Sequence, residues 1–199
     1  MLADLIDDRA TDIDAIASYL DGLDGHRRWA EVGALDRARQ RRLYEKAFRA
    51  RPIDLDHFVG AAGPRQEVIH EGRNTLPLPG PLQRFQKRFC RPEGGAGRLF
   101  GYNEGPTRRL VGPGFFVAIP TSGRREWEAR GAVVVDYFQV PDGPVAPGWP
   151  EVVPNSHRLQ RFVYHQTRDF MRRVSTHVSI GAAYKIERAL DHYFVLCRR

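Results

Sequence analysis

The feature that most limits the possible folds is a series of short apolar segments with a period of two residues, which follow one another after Pro52. In the clearest of them, Val178 and Ile180 alternate with Ser179 and Gly181, as expected for a strand with two different faces. The predicted strands are 66–73, 85–91, 98–104, 114–121, 132–140, 177–186 and 192–198. Strands this closely spaced, with few helices between them, favour an antiparallel meander that closes as a barrel or sandwich.

The first 51 residues have a different pattern, with apolar positions at helical spacing. Asp12 or Thr11 is placed to cap a helix that runs through Leu20, and Asp36 is placed to cap another after an interruption near Gly33. The segment 163–175 resembles a short helix or turn. The sequence therefore predicts an α+β, mainly β protein: an N-terminal helical segment, 1–51, packed on an antiparallel β-barrel domain, 52–199.

Charge and composition exclude several classes of function. The net charge is +7, but the arginines at 37, 39, 41 and 42 are interleaved with Asp36 and Glu45, which favours a solvated helix face and makes nucleic acid an unlikely partner.

Cys90 and Cys197 are isolated, and the histidines lack metal-ligand spacing, so no disulfide framework, metal or cofactor is expected. The sequence shows neither a secretory signal nor a long apolar run, so we expect a cytoplasmic protein with no membrane partner and leave its oligomeric state open.

Two charged residues stand where burial is expected. Asp136 follows three valines in an apolar segment, and Lys87 alternates in phase with Phe85 and Phe89. A buried charge is costly unless it is paired or neutralised. We therefore expect Lys87 and Asp136 either to form one buried ion pair or to contact a ligand together. The alternative is that Lys87 extends to the barrel rim and Asp136 binds an arginine such as Arg172 or Arg173.

A proline-rich loop, 141–154, carries prolines at every third position from Pro141 to Pro150. This period is typical of polyproline II, and an SH3 or WW ligand is one interpretation. The favoured interpretation is a stiff crossover in which Trp149 folds over the barrel mouth as a lid.

Several short motifs resemble the GXWXG-type lipocalin-like proteins, a group of small bacterial β-barrel proteins. Gln86-Lys87-Arg88-Phe89 resembles a G-K-x-F strand of that family, Gly101-Tyr102-Asn103 resembles its G-x-N turn, and Val135-Asp136-Tyr137 resembles an apolar strand with an acid and a tyrosine. The closing segment, 163–199, is similar in its order of short helix, turn and two strands. The resemblance covers roughly the last 115 residues and implies a calycin-like barrel with an internal pocket.

The function expected from this reading is intracellular binding of a small, largely apolar molecule inside the barrel. The residues expected to line or orient the ligand are Phe85, Phe89, Tyr102, Phe115, Tyr137, Phe138 and Tyr184, with Lys87 and Asp136. The alternative is a small-barrel enzyme that isomerises, dehydrates or cyclises a hydrophobic substrate. In that case Asp136 is the base, and Lys87, His177 or Tyr137 is the acid or stabilises an oxyanion.

Overall fold

A computed structural model describes residues 1–95, 97–157 and 159–199. Eight strands form a closed antiparallel barrel in which each strand pairs with its neighbours in sequence, and β8 pairs with β1. The strands are β1 (Val68–Asn74), β2 (Arg84–Cys90), β3 (Leu99–Glu104), β4 (Phe116–Pro120), β5 (Val133–Asp136), β6 (Thr167–Arg173), β7 (Val178–Lys185) and β8 (Arg188–Arg198). The predicted barrel and its N-terminal helices are therefore confirmed.

Short helices complete the fold: α1 (Leu2–Asp7), α2 (Ile13–Asp21), α3 (Gly25–Val32), α4 (Arg37–Lys46), α5 (Asp56–Val59), α6 (Arg108–Val111), α7 (Arg125–Glu128) and α8 (Gln160–Val163). The predicted caps are present, because Asp12 accepts a hydrogen bond from Ala15 N at 2.8 Å and Asp36 accepts one from Arg39 N at 2.9 Å. In the part of the chain that the structure describes, every helix is too short or too polar to cross a bilayer.

The N-terminal helices cover the outer face of the barrel at β7 and β8. Ile16, Leu20 and Leu43 are buried in the same apolar cluster as Ile180 and Val195. Burial of apolar surface stabilises the folded chain by about 25 cal/mol per Å². Because helices and barrel bury their apolar side chains in the same cluster, they form one core. The division at residue 51 stays a prediction.

One predicted element is wrong for most of its length: the segment 163–175, predicted as a short helix or turn, contains the barrel strand β6, and only Val163 belongs to helix α8. Along β6, Thr167 and Asp169 point into the barrel, while Arg168 and Phe170 point outward. Neither face of this strand is uniformly apolar, so the usual pattern of a half-buried strand is missing. Pairing with β5 and β7 along its length holds it in the sheet.

One end of the barrel is filled by aromatic side chains, and we call it the closed end. Helix α5 places Phe58 there, with its ring centroid 4.9 Å from that of Phe89. His70 Nε2 donates a hydrogen bond to the Phe58 carbonyl at 2.8 Å, and the Phe116 ring packs on Phe89 at 5.3 Å. The opposite end, formed by the connections β1–β2, β3–β4, β5–β6 and β7–β8, is the open end.

Glycines on the inner face make room for rings that cross the lumen. A Cβ on Gly101 would lie 2.2 Å from Phe116 Cζ, and a Cβ on Gly181 would lie 2.3 Å from Phe194 Cζ. Any larger residue would displace these rings, so the glycines determine how the interior is filled.

The proline-rich loop does not act as a lid over the mouth. Its residues Ala146 and Trp149 pack on the outer face of the barrel, against Phe100 and Tyr102. Trp149 Nε1 also donates a hydrogen bond to Glu67 Oε2 at 2.5 Å. Cys90, Phe100 and Val117 form an apolar patch on the outer face that needs a cover, and this loop provides it.

Candidate functional site

The open half of the barrel contains a cavity of about 130 Å³. Its wall is largely apolar and aromatic, formed by Phe85, Tyr137, Val163, Tyr164, Leu190 and Phe194. Its polar lining residues include Lys87, Asn103, Thr167, Asp169 and His192. Surface pockets on the N-terminal helices have a larger volume than this cavity, but they are lined mainly by exposed charged side chains such as Arg42 and Glu45. The barrel cavity is the candidate site because it combines an apolar wall with buried polar groups.

Lys87 is the centre of the polar group, and its side chain is fully buried on the inner face of β2. The Lys87 ammonium donates to Asn103 Oδ1 and to Asp169 Oδ2, each at 3.1 Å, and to the Tyr137 hydroxyl. An ammonium has three donor hydrogens, so these partners use all of them. The rings of Phe116 and Phe194 also lie 4.8 and 4.9 Å from Lys87 Nζ, in positions that favour a cation–π contact.

Tyr137 and Asn103 complete the hydrogen-bond network. Asn103 Nδ2 donates to the Tyr137 hydroxyl at 3.1 Å and to the Gly114 carbonyl at 3.0 Å. The Tyr137 hydroxyl also donates to Asp169 Oδ2 at 3.2 Å. The ring of Tyr164 stacks on that of Tyr137, with centroids 5.3 Å apart. Tyr137 is therefore fixed both at its hydroxyl and at its ring.

Burial shifts the titration of all three ionisable groups toward their neutral forms. It lowers the pKa of Lys87 and raises the pKa of Asp169, and the attraction between the two charges opposes both shifts. Burial, together with the charge of Asp169, raises the pKa of Tyr137 well above its ordinary value. Tyr137 therefore stays protonated and acts as a hydrogen-bonding hydroxyl near neutral pH.

The predicted ion pair between Lys87 and Asp136 is wrong, because Lys87 pairs with Asp169. Asp136 lies on the outer face of β5, buried, with Arg168 Nε 3.3 Å from its Oδ1. It also accepts hydrogen bonds from Phe138 N at 3.0 Å and from Gln139 Nε2 at 3.1 Å. The alternative that Asp136 binds an arginine is closer to the structure, although the arginine is Arg168.

Only some of the predicted lining residues face the lumen. Phe85 and Tyr137 line the cavity, and Phe89 points inward within the filled half. Four others lie outside the barrel: Tyr102 and Phe115 pack together on the outer face, Phe138 lies under Arg168, and Tyr184 packs on Phe170. The segments that carry these four residues alternate in the opposite phase to the predicted one. In each case the adjacent residue points inward instead: Asn103, Phe116, Tyr137 and Ala183.

His177 is also misplaced as an acid for this site. It lies in the β6–β7 connection at the closed end, with its Nδ1 3.4 Å from an Arg198 guanidinium nitrogen. Lys87 and the cavity lie toward the other end of the barrel, so the structure does not bring His177 together with them.

Several residues of the site were missed, and Asp169 and Tyr164 are the most important of them. Asp169 lies in the strand that was predicted as helix or turn, and Tyr164 precedes that strand. The signal for Asp169 was weak: Thr167, Asp169 and Met171 are spaced two residues apart and share one strand face, but that face is not uniformly apolar. Arg168 and Arg172 on the opposite face obscured this pattern further.

The described residues contain no cluster of three or more His, Cys, Asp or Glu side chains placed to hold a metal ion. No protein-family model, curated protein or solved structure matches this chain.

Proposed function

We propose that this protein binds a small, largely apolar molecule in the cavity at the open end of the barrel. The observation that carries the proposal is the apolar, aromatic wall around the buried Lys87–Asp169 pair. The up-and-down order of eight antiparallel strands supports a calycin-like barrel, since lipocalins share that architecture.

The size of the cavity limits the ligand. A cavity of about 130 Å³ is close to the roughly 150 Å³ of an engineered apolar cavity that admits benzene. The occupant we propose is therefore a single ring, or an aliphatic group of similar volume.

The hydrogen-bonding groups of the site indicate the polar end of this ligand. The ammonium hydrogens of Lys87 are all used within the cluster, and the charges of Lys87 and Asp169 balance. Among the described residues, Asp169 Oδ1 has no hydrogen-bond partner, so the site has an acceptor to spare. A neutral ligand hydroxyl that donates to this oxygen fits better than a carboxylate, which would place a second buried negative charge beside Asp169.

The test is a chemical-shift titration with benzyl alcohol, toluene and benzoate as probes. We expect benzyl alcohol to bind more tightly than toluene or benzoate. Ala183 lines the cavity, so Ala183→Leu should fill the space and weaken binding of benzyl alcohol by at least about tenfold. The matched control is Ala189→Leu, an exposed position on β8.

Two results would count against the proposal: no probe perturbs the cavity residues, or Ala183→Leu leaves binding unchanged. If toluene binds as tightly as benzyl alcohol, the cavity is a ligand site but the preference for a hydroxyl is wrong.

A second candidate is acid–base catalysis in the same cavity, with Asp169 in the role expected of Asp136. It is favoured by the opposite pKa shifts of Asp169 and Lys87, since active sites often contain such pairs. A positioned base accelerates proton transfer about 10²–10⁴-fold. Exchange of the α-protons of cyclohexanone in heavy water, followed by NMR, should then be faster with the wild-type protein than with Ala183→Leu. Equal rates would exclude this candidate for that substrate class.

A further inference from the structure

The exposed apolar side chains are concentrated at the open end of the barrel. Among the described residues, all of the large exposed apolar side chains except Met1 and Phe48 belong to the open-end connections or the adjoining start of β8. The most exposed apolar residues at the open end are Leu110, Phe162 and Ile186, which are 72%, 63% and 61% exposed. They come from three different connections. We call these three residues the rim.

Neighbours of two rim residues reach into the cavity. Val163, next to Phe162, and Leu190, in the strand after Ile186, are exposed at this end and also line the cavity. An apolar surface therefore continues from the outside of the protein into its lumen. A surface that continues a binding cavity in this way is a candidate for interaction.

Cations flank each rim residue. Arg109 precedes Leu110, Arg161 precedes Phe162, and Lys185 and Arg188 lie on either side of the hairpin tip. None of these cations forms an ion pair within the described residues. By contrast, acids at this end are paired: Glu104 with Arg108, Glu187 with Arg130 and Arg168, and Asp191 with Arg37. The open end is therefore both apolar and positively charged.

The hairpin tip gives a second, independent observation. Ile186 and Glu187 have φ angles of 45° and 63°, the left-handed conformations of a two-residue hairpin turn. Asn-Gly is the preferred pair in such a turn, and a β-branched residue with positive φ is a steric outlier. The chain thus has a strained isoleucine exposed at the tip, which is unfavourable for the isolated fold.

We infer that the open end docks on an anionic lipid surface, with Leu110, Phe162 and Ile186 inserted between headgroups and the adjacent cations bound to lipid phosphates or carboxylates. Apolar tips flanked by arginine or lysine have the composition of an interfacial membrane contact. A second copy of the chain is less suitable, because a symmetric contact through this face would bring like charges together. This docking departs from the expectation of no membrane partner, which was based on the lack of a long apolar segment.

The test is co-sedimentation of the full chain with phosphatidylcholine vesicles, with and without phosphatidylserine. We expect binding only to the vesicles that contain phosphatidylserine, weakening as salt is raised. Ile186→Asn should weaken binding about tenfold, since an inserted isoleucine is replaced by a polar residue. It should also leave the melting temperature unchanged or higher, because asparagine suits the turn. This combination separates loss of docking from loss of folding.

Two matched controls complete the experiment. Phe162→Ser should weaken vesicle binding, whereas Phe48→Ser, at a phenylalanine that is 65% exposed and distant from the open end, should not. Replacing Arg109, Arg161 and Arg188 by glutamine should abolish the preference for phosphatidylserine, and the same change at the exposed Arg9, Arg49 and Arg51 should retain it.

The inference is overturned if phosphatidylserine vesicles do not bind the protein, or if the Phe162 and Phe48 variants bind equally. It is also overturned if ultracentrifugation shows a dimer that the Phe162 variant dissociates, because the rim would then contact a second copy.

Discussion

Lys87 Nζ lies 3.1 Å from Asp169 Oδ2, and both side chains are buried inside the barrel. The two residues come from β2 and β6, which lie on different sides of the sheet order, so their contact crosses the lumen. This pair divides the interior into an aromatic half, around Phe89, and a cavity below the open end.

The first prediction concerns the unequal importance of the two buried aspartates. Asp169→Asn removes the charge that balances Lys87 inside the barrel, and we expect the free energy of unfolding to fall by about 3–5 kcal/mol. Asp136→Asn should cost less, about 1–2 kcal/mol, because Arg168 keeps Glu187 as a partner and an amide oxygen can still accept from Phe138 N. Urea unfolding measures both. Equal losses would contradict the greater importance of Asp169.

The second prediction is that removing both charges is less costly than removing one. The double variant Lys87→Met with Asp169→Leu leaves no uncompensated charge in the lumen, and such replacements are often neutral or stabilising. We expect a free energy of unfolding above that of either single variant. A double-mutant cycle tests this coupling, and additive losses would contradict the ion pair.

A third prediction concerns the closed end, where Phe58 is fully buried against Phe89. Phe58→Ala should lower the free energy of unfolding by about 3–5 kcal/mol, through lost burial and the cavity left behind. Phe48→Ala is the matched control, since this residue is 65% exposed and should change stability little. Thermal unfolding of the two variants gives the comparison. Similar melting temperatures would show that α5 does not close the barrel.

The fourth prediction follows from His70, whose pKa is lowered from 6.5 to about 4, mainly by burial. Between these values the unfolded chain binds a proton that the folded chain does not, so stability decreases as the pH falls from about 6.5 to about 4. His70 alone accounts for about 3 kcal/mol across that range, and above pH 6.5 it contributes no pH dependence. His57, whose pKa is also lowered by burial, acts in the same direction.

Urea midpoints between pH 4 and pH 8 check this dependence. His70→Gln should reduce the slope between pH 6.5 and pH 4, whereas His26→Gln, at an exposed position, should leave it unchanged. A slope unaffected by the His70 change would mean that this ring is protonated in the folded protein.

Much of the architecture could be predicted from local sequence. The capping aspartates Asp12 and Asp36 fix where helices begin, because their side chains bond to backbone amides only a few residues away. The alternation around Lys87 placed it correctly on the inner face with Phe85 and Phe89. These features depend on neighbours along the chain, so the sequence alone is sufficient to identify them.

The composition of the site depends on tertiary structure. Every residue of β5 is buried, because one face lines the interior of the barrel and packed side chains cover the other. Tyr137, which follows the strand, is buried as well. The pattern of hydrophobicity therefore cannot show whether Asp136 or Tyr137 points inward. The register with β4 and β6 determines that choice. The sequence by itself determined that a lysine shares a strand face with two phenylalanines in a barrel. Closure of the sheet decided that this lysine is buried and that its partner is Asp169, because only closure brings β2 and β6 face to face across the lumen.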